Sequence, residues 1–517
     1  MTIENTPTAL YRAEQVRELD RIAIRELGIP GARLMERAGF VTFQSMGQRW
    51  PDARRIRVLC GVGNNGGDGF VIARYAKCAG LDVKVFPIGD PARLGGDARG
   101  AFEAMLAAGL TPETYKADGA CLPDGALEDA DIVVDALFGT GLDREITGRW
   151  ADAIAAINAS PAARVAVDIP SGLHADTGQV LGCAVLADLT VTFIGLKQGM
   201  FTGQGRDRCA EIRFDDLAVP DAVYDRFEPS ARRIDYDTTG HLLPAPRART
   251  AHKGDFGHVL VMGGDAGFVG AARMAGEAAA RTGAGLVSIA TRRAHAATVG
   301  ASRPELMCHG VENAVDLQAL LARATVVALG PGLGQSSWGK TLLGTVLETE
   351  LPMVIDADGL NLLASLPGYG SSNRNRVLTP HPGEAARLLG QDSAQIQNDR
   401  FRAARALVAR FGGTAVLKGS GTLILDEEGD PCIASEGNPG MATGGMGDVL
   451  TGIIAGLMAQ GVAPDRAARL GVCLHGRAAD MAAEKDGERG MLAGDLMAWI
   501  RRLMNPEPVY QRLGRVR

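Results

Sequence analysis

The segment Gly437-Asn438-Pro439-Gly440-Met441-Ala442-Thr443-Gly444-Gly445-Met446-Gly447-Asp448 holds the residue types that phosphoryl chemistry asks for. Asn438-Pro439-Gly440 makes a turn, and Gly444, Gly445 and Gly447 leave backbone N–H groups free before a helix expected to begin near Asp448. Such groups form an anion nest at the positive end of a helix. A carboxylate beside the nest can take a proton from a hydroxyl while the nest holds phosphoryl oxygens. The competing reading is an Asp that only caps its helix, and the glycine before it favours the site. The segment reads as a place where nucleotide phosphate is held and a substrate hydroxyl activated.

Other segments of the same half could complete such a site. Lys418-Gly419-Ser420-Gly421-Thr422 joins two strands and could meet phosphate or ribose, or be an ordinary hairpin turn. Gly330-Pro331-Gly332-Leu333-Gly334 follows a buried strand and allows close backbone approach. Thr379-Pro380-His381-Pro382-Gly383-Glu384 holds His381 between two prolines, which suits a ligand contact as well as a structural role. Asp356 and Asp358 end a strand; they could reach a Mg2+–phosphate complex, and for Asp358 a helix cap is the favoured reading.

In the first half, a strand runs into Gly61-Val62-Gly63-Asn64-Asn65-Gly66-Gly67-Asp68-Gly69. Its opening satisfies G-x-G-x-x-G, which lets backbone N–H groups approach a phosphate, though a tight turn explains it equally well. The two asparagines and Asp68 add amide and carboxylate groups that a dinucleotide loop would not carry. Asp135 and Asp168 also stand at strand ends, in Val133-Val134-Asp135-Ala136-Leu137-Phe138-Gly139-Thr140-Gly141-Leu142 and Asp168-Ile169-Pro170-Ser171-Gly172. Each alone reads as a turn or cap. Three polar loops at the carboxyl ends of successive parallel strands read as a site.

Those loops need a scaffold, and the apolar pattern supplies two α/β halves. Strands fit residues 56–60, 82–86, 131–135, 164–169 and 189–194, and helices 13–27, 32–47, 69–79 and 97–108. Between about residues 217 and 250 the alternation stops at Pro220, Pro229, Pro244 and Pro246; Ile234, Tyr236, Leu242 and Leu243 there are apolar enough to pack. A second alternation has strands at 258–262, 286–290, 326–329, 353–356, 415–417 and 422–425, with helices at 271–282, 400–411, 449–460 and 465–483. Strand–helix alternation with apolar strands predicts parallel sheets covered on both faces.

Bulk composition sets limits. At 517 residues the chain exceeds one ordinary core, and 46% hydrophobic with 22% charged residues is globular. A net charge of -6 argues against a nucleic-acid or anionic-membrane partner. The basic tail Arg512-Leu513-Gly514-Arg515-Val516-Arg517 is short and reads as a frayed end. The eight cysteines, Cys121 among them, form no Cys-x-x-Cys pair, so a reducing cytoplasm fits. Glu4 interrupts any apolar leader, and no run is long enough to span a membrane. A homo-oligomer is expected for a sheet enzyme of this size.

The first half resembles the NAD(P)H-hydrate epimerases. The matching segments are Leu34-Met35-Glu36-Arg37-Ala38-Gly39, the Asn-Asn-Gly-Gly-Asp-Gly loop, and the runs at Asp135 and Asp168. The resemblance implies a Rossmann-like three-layer αβα domain over residues 1–225. It implies that Asn64, Asn65, Gly66, Gly67 and Asp68, with Gly139, Thr140, Gly141, Leu142, Asp143, Arg144 and Glu145, contact hydrated NADH or NADPH. It also implies a K+ ion held by Asn65, Asp135 and Ser171, since oxygen ligands suit a hard cation. Asp168 would touch the substrate and is the candidate acid/base.

The second half resembles the ADP-dependent NAD(P)H-hydrate dehydratases of the ribokinase-like superfamily. The segments are Lys253-Gly254-Asp255-Phe256-Gly257-His258, Gly263-Gly264 with Gly270-Ala271-Ala272, and the Gly330, Thr379, Lys418 and Asn438 runs. The resemblance implies a second αβα domain over residues 235–510. In it Ala271, Gly332, His381 and Asp448 meet the hydrate. Lys418, Gly419, Ser420, Gly421, Thr422 and Gly447 meet the AMP part of ADP, which would bring Mg2+. Met446 departs from the family, which more often has a small hydroxyl residue there. The expected function is repair of a damaged cofactor: interconversion of the R and S hydrates, and ADP-driven dehydration of the S form to NAD(P)H, AMP and phosphate. The alternative is a vitamin-precursor kinase fused to a Rossmann-like binding module without catalysis.

Overall fold

A computed structural model describes residues 7–113, 122, 123, 125–366 and 374–506. Glu4, Cys121 and the tail from Arg512 to Arg517 lie outside the described residues. The chain divides into two compact units, Met1–Arg232 and Arg233–Arg517.

The sheet of the first unit has six parallel strands. Their spatial order is Asp82–Pro87, Arg55–Cys60, Ile132–Ala136, Ala163–Val167, Leu189–Phe193 and Glu211–Asp215. The first five of these in chain order match the expected strands to within two residues at each end. Their side chains alternate between two cores, as a period of two requires. Ile56, Val58, Ile132 and Val134 pack with the helices Ala13–Arg25, Gly31–Arg49, Asn64–Cys78 and Gly96–Ala107. Leu59 and Val133 pack on the opposite face with the helix Arg149–Ala159. Apolar residues on both faces of a strand therefore impose three layers.

Counted along the chain, the strand order is 2-1-3-4-5-6. The order reverses between Arg55–Cys60 and Ile132–Ala136. Loops leaving these two strands diverge and open a crevice, the usual ligand position in doubly wound sheets. One expectation is corrected here. The helix expected from residue 69 begins at Asn64, so Asn64 to Asp68 form its first turn rather than a loop before it. A Cβ on Gly66 would lie 2.1 Å from the Gly61 carbonyl oxygen. This close seat on the strand end needs glycine, and it overrides glycine's poor helix propensity.

In the second unit, seven parallel strands run Met307–Gly310, Leu286–Thr291, His258–Met262, Val326–Leu329, Met353–Ile355, Arg376–Leu378 and Thr414–Leu417. Leu423–Leu425 and Cys432–Ala434 continue the sheet antiparallel. The order reverses between His258–Met262 and Val326–Leu329, which sets the loops from Gly263 and Gly330 around a second crevice. The helix Met446–Ala459 is buried from Val449 to Met458 and shares a core with Val269–Thr282. It starts two residues before Asp448. Ile234 joins this core, and Tyr236, Leu242 and Leu243 pack against it. Among the described residues, no helix is long and apolar enough to cross a membrane.

Candidate active sites

In the first unit, Asp135 closes a buried strand and its carboxylate is fully enclosed. It accepts hydrogen bonds from the Ser171 hydroxyl (2.6 Å), the Ser171 N–H (2.8 Å) and the Leu137 N–H (3.2 Å). The Ser171 hydroxyl in turn accepts from the Phe138 N–H at 2.9 Å. Two strand-end loops are thereby tied together just before Gly139. Burial pushes the Asp135 carboxyl up to about 6, against the pull of the Ser171 donors.

Asn65 is buried on the helix that starts at Asn64, and neither its amide nitrogen nor its amide oxygen has a hydrogen-bond partner. A buried polar group without a partner costs roughly 1–3 kcal/mol. A Cβ built on Gly139 would meet Asn65 Cβ and Asp168 Oδ2, each at 3.6 Å. Asn65, Gly139 and Asp168 therefore converge at the mouth of the crevice. Gly141, Asp143, Arg144 and Glu145 are exposed on the following loop, with Thr140 and Leu142 half-buried.

Asp168 adopts φ +68, which is strained for a residue with a Cβ. Its Oδ1 receives the Lys197 ammonium and the Thr192 hydroxyl (3.4 Å). Lys197 is wholly buried. Two more carboxyls face this pair. Burial, then Asp168, pushes Asp68 well above the usual carboxylate range. Burial raises Asp20 to about 6, with Lys197 opposing and Asp168 adding. Sequence reasoning missed Lys197, Thr192 and Asp20. The available signal was a lysine directly after an apolar strand, in Ile194-Gly195-Leu196-Lys197.

In the second unit the two crevice loops are laced together: Gly264 N–H donates to Pro331 O (3.1 Å) and Asp265 N–H to Gly332 O (2.7 Å). Gly332 has φ +60, and a Cβ there would come 2.6 Å from Phe268 Cβ and 3.3 Å from Ala271 Cβ. Ala271 and Gly332 are thus neighbours. Asp358 is not a helix cap. It accepts from Gly334 N–H (2.9 Å) and Gln335 Nε2 (3.2 Å), bracing the glycine loop from its own first helical turn.

His381 is the N-cap of Pro382–Leu389, with Nδ1 accepting from the N–H groups of Gly383 (3.0 Å) and Glu384 (3.3 Å). That fixes the neutral tautomer with its proton on Nε2. Burial, then the nearby Lys418, lowers its pKa further. Lys418 opens the five-residue hairpin loop expected at this point. Its ammonium bonds Asp356 Oδ1 at 2.7 Å and lies 3.8 Å from Glu384 Oε2. The second Asp356 oxygen takes the Thr451 hydroxyl at 2.9 Å. Asp356 is the N-cap residue of Ala357–Ala364, but its side chain makes no capping hydrogen bond and is engaged by Lys418 and Thr451 instead. Gly419 and Ser420 are exposed at the loop tip, and Thr422 bonds back to Gly419 O at 3.0 Å.

Asp448 sits in the first turn of Met446–Ala459, where helix N–H groups lack internal acceptors. A Cβ on Gly447 would lie 3.3 Å from Lys418 Nζ and 3.4 Å from Asp356 Oδ2, which seats the buried pair against this turn. Burial, then Asp356, pushes the Asp448 carboxyl up to about 7, with Lys418 opposing. A carboxylate with that affinity for protons at a helix N-terminus can act as a general base near neutral pH.

Comparison with known proteins finds relatives of both units. A family described as NAD(P)H-hydrate dehydratase matches residues 259–502, and one described as YjeF-related protein N-terminus matches residues 31–199. The bifunctional NAD(P)H-hydrate repair enzyme Nnr of Coxiella burnetii is 49% identical over 499 residues, covering 96% of this chain and 100% of its own. That of Escherichia coli is 46% identical, covering 97% and 95%. A solved ribokinase-like superfamily protein of Enterococcus faecalis V583 is 30% identical with a TM-score of 0.50, over 54% of this chain and 97% of its own.

Proposed function

Because the chain belongs to the bifunctional NAD(P)H-hydrate repair enzymes, we propose that its two units act in turn on one damaged cofactor. The first interconverts the R and S hydrates, and the second dehydrates the S form with ADP. Hydroxide is a poor leaving group. Asp448 removes the proton of the ring hydroxyl, and the terminal phosphoryl of ADP transfers to that oxygen. Phosphate then leaves with the former hydroxyl oxygen, the adjacent ring carbon gives up a proton to solvent, and the ring double bond of the dihydronicotinamide is restored, leaving AMP. In-line transfer depends on position and charge, which the helix end and Lys418 supply. The observation that carries this reading is the Asp448 carboxyl, raised to about 7 beside the Lys418–Asp356 pair.

The remaining assignments follow the same division. His381, Gly332 and Ala271 line the hydrate side of the second site; Gly419, Ser420, Gly421, Thr422 and Gly447 serve the nucleotide. Mg2+ bound with ADP would offset phosphoryl charge. Asp356 and Asp358 are engaged by protein donors, so the ion would ride on the phosphates. In the first site, the unpartnered Asn65 amide fits K+, with Asp135 and Ser171 as the other proposed oxygen ligands. Such an ion would supply a fixed positive charge there. Asp168 moves protons, and the loop from Gly139 to Glu145 holds the nucleotide. The seven described cysteines are free, which suits a reducing cytoplasm.

One assay tests the whole reading. A mixture of both epimers of hydrated NADH is supplied with and without ADP, and recovery of dihydronicotinamide absorbance is followed. Full recovery that requires ADP is expected. Recovery that stops at the S share would remove the epimerase. A stable phosphorylated alcohol without recovery would make the second unit a kinase.

A further inference from the structure

Lys197 has no role in the reading above, yet it is the most confined cation of the first site. Its side chain is fully buried. An ammonium has three donors, and all three are spent: on Asp168 Oδ1, on Thr192 Oγ1 at 2.9 Å and on Phe193 O at 3.2 Å. Burying an ammonium costs several kcal/mol unless it is paired and fully hydrogen-bonded. Here the pairing partner is the carboxylate at the crevice mouth.

The two Asp168 oxygens have different surroundings. Oδ1 is tied to Lys197 and Thr192. Oδ2 faces the Gly139 loop, 3.6 Å from the point a Gly139 Cβ would occupy. We propose that Lys197 is the positioning residue of the epimerase site: it anchors Asp168 through Oδ1 and so presents Oδ2 as the atom that exchanges protons with the bound hydrate. The charged groups around the pair come from separate elements. Asp20 is on Ala13–Arg25, Asp68 on Asn64–Cys78, and Lys197 on the short strand Leu196–Lys197. Lys197 alone is positive among them. It pairs with Asp168 in the presence of two further carboxyls, at a residue whose backbone is strained at φ +68. The inference rests on Asp168 as the acid/base of the first unit.

The test uses the full chain, with epimer interconversion of hydrated NADH followed by chromatography and ADP omitted. Asp168→Asn is measured beside the Lys197 variants. Interconversion by Asp168→Asn at the wild-type rate would end the acid/base reading, and this inference with it. With Asp168→Asn inactive, Lys197→Ala should lose about 100-fold in kcat while KM moves less than about threefold. Added ethylammonium should restore part of that loss in proportion to its concentration. Thr192→Val keeps the shape and removes one ammonium anchor; it should lose about tenfold in kcat with KM unchanged. ADP-dependent dehydration of the S epimer by the same preparations reports an intact second unit. If Lys197→Ala fails to fold, Thr192→Val decides alone. A wild-type kcat in Thr192→Val, or a Lys197→Ala defect confined to KM or indifferent to ethylammonium, overturns the proposal while leaving Asp168 in place.

Discussion

Lys418 Nζ lies 2.7 Å from Asp356 Oδ1, and this buried pair is seated against the helical turn that carries Asp448. The pair acts on Asp448 in opposite directions: Asp356 raises its proton affinity and Lys418 lowers it, on top of the larger effect of burial. A base works in its ionised form, so kcat for dehydration should fall as pH drops through about 7. Asp356→Asn removes the negative neighbour and keeps the positive one. The acidic limb of the pH profile should then move to lower pH. Lys418 would be left with Glu384 at 3.8 Å, and the second unit should lose about 3 kcal/mol in urea unfolding. A limb that does not move would assign the base to another group.

His475 predicts the acid behaviour of the second unit. It is buried on Pro464–Asp486, its Nε2 has no partner, and burial pushes it down to about 4. The unfolded histidine takes up its proton near 6.5, so between about pH 6.5 and 4 the unfolded state binds more protons. This contribution to stability is complete above that window and is lost as pH falls through it. The change is about 3 kcal/mol at most. In urea titrations at several pH values, His475→Leu should flatten the slope in this window; an unchanged slope would show that His475 does not titrate there.

Gly332→Val should separate the two activities. The position has φ +60, and a Cβ would come 2.6 Å from Phe268 Cβ. A β-branched residue there strains the backbone and crowds the crevice, at a cost of about 1–3 kcal/mol. Dehydration should be lost, or its KM raised at least about tenfold, while epimer interconversion stays at the wild-type rate. Normal dehydration kinetics would place the hydrate away from this loop.

On the proposed K+ assignment, Asn65 couples stability to the ion in the first unit. Its two side-chain polar atoms are buried without partners. Asn65→Leu replaces them with apolar atoms and should raise stability by about 1 kcal/mol in potassium-free buffer. Wild type should gain stability when K+ replaces a bulky organic cation, and the variant should not. Epimer interconversion by the variant should fall at least about tenfold, because the amide would be missing when the ion is needed. Equal K+ responses in the two proteins would remove Asn65 from the ion site.

Much of this arrangement was legible before folding. Runs such as Val58-Leu59-Cys60 and Val326 to Leu329 mark buried parallel strands, and glycines after them mark the crevice loops. The carboxylates at 135, 168 and 448 stand at strand and helix ends, where position in sequence already fixes position in the fold. Other features depend on contacts distant in sequence. Lys197 meets Asp168, and Asp356 meets Lys418 and Thr451, with no local spacing to announce it. The first helical turn at Asn64 was hidden because glycines disfavour helix until a neighbouring strand requires them. Asp358 has the residue type of a cap, but it sits inside the first turn, one residue past the helix start, and its oxygens turn to the Gly334 loop. The strand Arg376–Leu378 is three residues long and carries a buried arginine, which masks its apolar pattern.

The most direct measurement is Asp448→Asn in the full chain, given both epimers of hydrated NADH with ADP. The substitution keeps the side-chain shape and removes the base. Recovery of dihydronicotinamide absorbance should slow by at least about 100-fold, while the epimer ratio still relaxes at the wild-type rate. ADP-dependent recovery at the wild-type rate would contradict the assignment of Asp448 as the group that activates the hydroxyl.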